Sequence, residues 1–247
     1  MTKINVSLRS IMFYRSFFKT IRRRRSLIIH YSFDNIHYNR REDSMAVITI
    51  SRQFGAGGIT LGKMIAEKFG YTFADTEIIK MVAEMANVST SFVETVEKEA
   101  GGKFSRFISK TVSKPLVERI LKDERGYIDE KIYLDYLVLI IAQMGDDGDV
   151  VILGRGSQYI LNDHPDAYHV LLIDTFDNRV RFMKTHYDLS QGRATQVVKN
   201  EDKRRSNLYK KLGKTDYDNS ELYHLVINMN RVHLEKALAL VSDLVNS

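Results

Sequence analysis

Cysteine and tryptophan are absent from this sequence, and proline occurs only twice in 247 residues. Without cysteine there is no disulfide, no thiol nucleophile and no thiolate metal ligand, which suits a reducing cytoplasm. So little proline speaks against a linker-rich disordered chain and for a helix-rich folded one. Also missing is an apolar run near the roughly 18–20 residues needed to cross a bilayer; the stretch Ser26–Phe33 is too short. The histidines at 164, 169, 186, 224 and 233 are scattered, without the paired spacing of a metal site. No serine–histidine–acid arrangement is readable.

What charge there is falls unevenly. Residues 1–44 hold ten Lys/Arg and three Asp/Glu, a net of +7, whereas the whole chain is +6, so residues 45–247 carry a net −1. The basic character belongs to the N-terminal segment, and a nucleic-acid function inferred from the overall charge would be misplaced. Residues 1–44 fit three readings: a disordered basic tail, an organelle or membrane-surface address after Arg22–Arg25, or a translated upstream stretch outside the working protein. The last is favoured, because Met45 directly precedes the first strand pattern.

From residue 45 onwards strands and helices alternate. Ala46–Ile50 is β-branched, and a helix follows with Leu61, Met64, Ile65 and Phe69 on one face and Gly70 as its stop. Tyr71–Ala74 reads as a second strand, and Asp75 as the cap of a helix over Thr76–Ala86. Ser89 or Thr90 opens another helix reaching Glu99. Residues 103–143 have helical periodicity, with Ile132–Ile141 apolar enough to be buried. Val150–Leu153 and His169–Ile173 are unbroken apolar strands of the kind a parallel sheet buries on both faces. Helices over Thr175–Tyr187 and Ser190–Lys211, a strand at His224–Ile227 and a helix over Arg231–Val245 complete the pattern. The alternation predicts βαβ units and a parallel sheet.

The sequence Gly55-Ala56-Gly57-Gly58 lies between the first strand and the first helix. Glycines there let the backbone approach an anion, and the amides and dipole of the helix start favour negative charge. The longer string Ile48-Thr49-Ile50-Ser51-Arg52-Gln53-Phe54-Gly55-Ala56-Gly57-Gly58-Ile59-Thr60-Leu61-Gly62, followed by Ala66-Glu67-Lys68-Phe69-Gly70-Tyr71, resembles the opening of the cytidylate kinase-like family, a branch of the nucleoside monophosphate kinases. The resemblance spans about residues 46–246. It implies an α/β fold: a three-layer P-loop NTPase-type parallel sheet flanked by helices, with a helical insert at about residues 87–145 and a lid. The domain would be residues 45–247, with residues 1–44 as an extension.

The same resemblance implies ATP and Mg2+ as cofactors and phosphoryl transfer to a nucleoside monophosphate or a related small phosphate acceptor. The alternative is a non-catalytic nucleotide sensor that keeps the loop without the chemistry. Two loop positions depart from the usual phosphate-loop pattern: Arg52 stands where the first glycine belongs and Gly58 where the lysine belongs. The lysine stabilises developing phosphate charge, so another cation must replace it, and Arg52 in the same loop is the first candidate. Lys63 is expected to face solvent.

The family likeness assigns donor-phosphate binding to Gly55, Ala56, Gly57, Gly58, Ile59 and Thr60, with Thr60 beside magnesium. Asp75-Thr76 opens the acceptor-binding helix, although Met81 stands where an arginine is expected. Gly154-Arg155-Gly156-Ser157, at a strand end, would place Arg155 on the acceptor phosphate. The residue before it is Leu153 rather than the usual acid; Asp174 is a weaker substitute that also suits a helix cap. Asp202-Lys203-Arg204-Arg205 and Tyr209 are similar to the lid, with Asp202 and Arg204 touching substrate. Two adjacent helical arginines should not both face one partner, and Arg205 is the preferred catalytic one. Asn228 ends the closing strand. The expected partner is a nucleotide substrate in the cytoplasm; nucleic acid and a membrane span are not expected, and a homo-oligomer is left open.

Overall fold

The computed structural model describes residues 46–99 and 130–247. The N-terminal extension and residues 100–129, the middle of the helical insert, lie outside the described residues, as do the expectations that fall on them.

Five strands form one parallel sheet in the order β2-β3-β1-β4-β5. They are β1 Val47–Arg52, β2 Thr72–Ala74, β3 Val150–Leu153, β4 Ala167–Ile173 and β5 Leu225–Asn228. The central β1 pairs with β3 through Ile50↔Leu153 and with β4 through Ile50↔Val170. The helices are α1 Gly58–Phe69, α2 Thr76–Ala86, α3 Thr90–Glu99, α4 Glu130–Asp147, α5 Ser157–Ile160, α6 Phe176–Tyr187, α7 Gln191–Lys211 and α8 Leu234–Val245. They cover both faces of the sheet, giving the three layers that the alternation implies. Among the described residues, no helix is long and apolar enough to cross a membrane.

Alternation along each strand sorts its side chains. Ile48 and Ile50 of β1, Val151 and Leu153 of β3, and Val170 and Leu172 of β4 pack on Leu61 and Ile65 of α1 and on Ala237 and Val241 of α8. The insert helices meet the rest through Ile78 and Val82 of α2, Val93 of α3, and Tyr133, Leu137 and Ile141 of α4, all fully buried. The buried apolar run expected at 132–141 is therefore one face of α4.

Most helix boundaries follow their caps. Gly70 closes α1 at φ 72, Ser89 accepts from the Phe92 N–H, Thr175 from Asn178, and Ser190 from Arg193. One cap departs from expectation. Asp75 occupies the N-cap position of α2 but makes no capping bond, because its carboxylate is drawn to Arg155. Asp174 likewise precedes the true cap, Thr175, and its Oδ1 takes the Thr175 N–H and the Asn178 side-chain amide.

On the opposite face of β1 and β4, Thr49 Oγ1 and His169 Nδ1 lie 2.7 Å apart, and the His169 N–H donates to His224 Nδ1. Burial, reinforced by His224, pulls the His169 imidazole down from 6.5 to about 4. A buried histidine that stays neutral while its unfolded form takes up a proton supports the fold fully above pH 6.5. That support is lost as pH falls from 6.5 towards 4, by roughly 3 kcal/mol at most. Thermal melts between pH 7 and pH 4 should therefore show a smaller loss of Tm for His169→Gln, which keeps a polar partner for Thr49, than for the parent chain.

Candidate active site

The turn after β1 has the geometry an anion needs. Gly55 and Gly57 adopt φ +87 and +83, a region that side chains rarely enter, and α1 starts at Gly58 with no side-chain cap on its first amides. Within the turn, Ala56 N–H donates to the Gln53 carbonyl. Thr60 is exposed in the first turn of α1, and Lys63 is exposed further along, as expected.

Arg52, the last residue of β1, packs beside Gly58, where the common loop has its lysine. A Cβ on Gly58 would lie 3.0 Å from the Cγ of Arg52, and one on Gly154 would lie 2.1 Å from its Nη1. The arginine stem thus occupies the space that a side chain at 58 would need, and its guanidinium lies over the backbone of Gly154. Among the described residues the Arg52 side chain makes no hydrogen bond or ion pair. Burial and the neighbouring Arg205 pull its guanidinium below its usual value, down to about 9, still protonated at neutral pH.

Arg52, Asp75, Glu97, Leu153 and Arg155 line one side of a cleft that opens to solvent. Glu201, Arg204, Arg205 and Leu208 of α7 line the other side. The expectation that only one of the adjacent arginines faces the site is not met. Residues 201, 204, 205 and 208 are spaced i, i+3, i+4 and i+7, one stripe of a helix, so 204 and 205 flank its centre line. Arg204 also pairs with Glu201 at 3.2 Å.

Arg155 sits in the turn after β3, where Gly154, Arg155 and Gly156 all have positive φ, the arginine at +56. Its Nε donates to Glu97 Oε1 at 2.8 Å and its Nη1 to Asp75 Oδ1 at 2.7 Å. The buried Tyr133 hydroxyl donates to the same Glu97 oxygen at 3.0 Å. Burial alone would lower the guanidinium's pKa, but Glu97, Tyr133 and Asp75 hold it above its usual value. Glu97 and Tyr133 were not singled out from the sequence; the helical insert brings them to the strand end.

Asp202 lies beside the glycine turn. Its Oδ1 accepts from the Phe54 N–H at 3.2 Å and from Arg205 at 3.4 Å, and its Oδ2 accepts from Arg179 at 2.7 Å. Arg179, 6 % exposed, also donates to the Phe54 carbonyl and packs its Cβ against Gly55. Arg179 was likewise missed; one arginine in the first turn of α6 carries no signal of its own.

Residues 47–231 match the model of the cytidylate kinase-like family. The chain belongs to this family. Among solved structures, it resembles an uncharacterized protein from Eubacterium ventriosum with a TM-score of 0.59 at 16% identity, over 82% of this chain and 99% of that one. A shikimate kinase from Bacteroides thetaiotaomicron aligns with a TM-score of 0.44 at 17% identity, over 83% and 100% of the two chains. A gluconokinase from Sinorhizobium meliloti gives 0.43 at 14%, over 84% and 96%. No curated protein matches the sequence. At 16% identity the likeness to the Eubacterium structure speaks for the fold alone. Family membership makes this a kinase-like chain; Gly58 stands where the common loop has a lysine, and Arg52 packs against Gly58 and Gly154.

Two outcomes follow for the site. Gly154→Ala would drive the Arg52 guanidinium aside while leaving the core untouched. An ATP-analogue titration should show affinity reduced about tenfold, with stability lowered by only about 1 kcal/mol from the positive φ. Asp202→Ala would leave the buried Arg179 without its carboxylate. Because Asp202 is partly exposed, the expected loss is about 2 kcal/mol, read as a Tm lower by roughly 4–8 °C.

Proposed function

We propose that the protein is an ATP-dependent phosphotransferase acting on a small acceptor held in the Arg52–Arg205 cleft. The observation that carries this reading is the position of Arg52: a largely enclosed guanidinium with no partner among the described residues, close to a second guanidinium, beside the uncapped amides of a helix start. Two such cations repel each other until an anion lies between them, and a nucleotide's phosphates supply one.

In this reading the amides of Gly55, Gly57, Gly58, Ile59 and Thr60 hold the donor phosphates. Arg52 neutralises charge developing on the transferred group, the role lysine has in the common loop. Arg205, with Arg204 beside it, approaches the same phosphates from α7. Mg2+ is commonly bound through one or two protein oxygens plus substrate phosphates, keeping several waters. Among the described residues no three His, Asp or Glu side chains converge on one point, so an ion carried in on the nucleotide, with the Thr60 hydroxyl as a ligand, fits. The ion would screen phosphate charge. Asp75 and Arg155 face the acceptor. The working domain is residues 45–247, in the cytoplasm.

The test is turnover with ATP and Mg2+ over a panel of nucleoside monophosphates and small hydroxyl compounds, followed by ADP release. Arg52→Ala should lower the rate on the order of 100-fold. Adding Gly58→Lys to Arg52→Ala should restore at least tenfold, because the lysine then has room. Gly58→Lys alone should reduce activity, since the Arg52 stem stands in its way. Analogue binding without turnover across the whole panel would instead make the protein a nucleotide-binding module.

A further inference from the structure

The two ends of the cleft differ in charge. At the loop end, Arg52 is unpaired among the described residues, and Arg179 and Arg205 share the single carboxylate of Asp202. That set sums to +2. At the other end Arg155 is shared by two carboxylates, Asp75 and Glu97, and that set sums to −1. Arg204 and Glu201 cancel. The arginine that family likeness would place on an acceptor phosphate is therefore already over-neutralised.

The carboxylates also keep acceptor capacity. Glu97 receives both Arg155 and Tyr133 on Oε1, and Asp75 receives Arg155 on Oδ1. Among the described residues Glu97 Oε2 and Asp75 Oδ2 have no hydrogen-bond partner. Two open carboxylate oxygens bind hydroxyl groups well and repel a phosphate dianion. The side chains of Arg155 and Glu97 are only 10% and 14% exposed, so water screens this repulsion weakly.

We propose that Glu97, together with Asp75, makes the acceptor end of the cleft reject a phosphate dianion and receive a neutral, hydroxyl-bearing acceptor. The inference rests on the phosphotransferase reading above. In the step it implies, an acceptor hydroxyl oxygen forms a bond to the γ-phosphorus of a nucleoside triphosphate. The bond from that phosphorus to the β–γ bridging oxygen breaks, and the nucleoside diphosphate leaves with the electron pair. The hydroxyl proton passes to Asp75, the more exposed of the two carboxylates. Glu97 is then a specificity residue acting through the charge of the subsite.

The experiment uses a matched pair of probes, cytidine and cytidine monophosphate, which differ only in the phosphate. Each is titrated calorimetrically into the full chain with Mg2+ and a non-hydrolysable ATP analogue present. The parent chain should bind cytidine monophosphate no better than cytidine. Glu97→Gln keeps an acceptor for Tyr133 and raises the subsite charge from −1 to 0. It should bind cytidine monophosphate at least tenfold more tightly than the parent. Asp75→Asn should shift affinity in the same direction and serves if Glu97→Gln melts early. Tighter binding of the monophosphate than of cytidine by the parent overturns the proposal, as does no gain in a variant that folds. Failure of the ATP analogue itself to bind would sink the phosphotransferase reading instead, and that titration is read separately.

Discussion

The site turns on one side chain lying across two glycines. Arg52 runs past the position of Gly58 and ends against Gly154, so three residues from β1, α1 and the turn after β3 are fixed as a set. An ordinary phosphate loop sends a lysine outward from the first turn of its helix. Here the positive charge comes from the strand instead, and the helix gives up its side chain to make room. Arginine suits this route better than lysine would: its planar fork keeps its charge when enclosed, and among the described residues no ion pair takes up that charge. The resulting demand for an anion is built into the packing of the central strand.

A second constraint links the loop to α7. Asp202 holds the Phe54 N–H, Arg179 and Arg205 at once. The carboxylate stands at the mouth of the glycine turn and fixes the backbone just before Gly55. It also orients Arg205 towards Arg52. Shape in the loop and charge in the cleft are thereby set by the same group, and Asp202 precedes Arg205 by three residues, about one helical turn, which puts the two side chains in reach of each other.

Much of this was legible in the sequence where chemistry depends on neighbours along the chain. The strand–glycine–helix order marked the anion loop, and the Gly-Arg pair after Val150–Leu153 marked a residue at the cleft. Helical spacing brought Asp202 and Arg205 to one face. What was not legible depends on tertiary packing. Glu97 is one of several acids on α3, and only the docking of that helix against α4 selects it. Asp75 looked like a cap because local geometry allows it; the stronger pull of a nearby guanidinium decides otherwise, a charge-assisted bond being roughly twice as strong as a neutral one. The four-residue α5 fell below the length at which periodicity can be read. The two lid arginines were set against each other by pairwise logic, when a stripe of four residues was the relevant unit.

The charge division along the cleft bears on how such a site keeps donor and acceptor apart. A cleft positive throughout would bind phosphates at either end, and a second nucleotide could occupy the acceptor side. Surrounding Arg155 with Asp75 and Glu97 confines the unmet positive charge to the loop end. On the phosphotransferase proposal, the donor's phosphates then have one favourable orientation, with the transferred group pointing towards the acidic end. In this arrangement Arg155 works less as a phosphate clamp than as the counter-charge that lets two carboxylates stand side by side in a partly buried place. Two carboxylates so close would otherwise repel each other. The left-handed backbone at Arg155 and the buried phenol of Tyr133 hold this three-residue group at the strand end, so the helical insert contributes charge as well as bulk to the site.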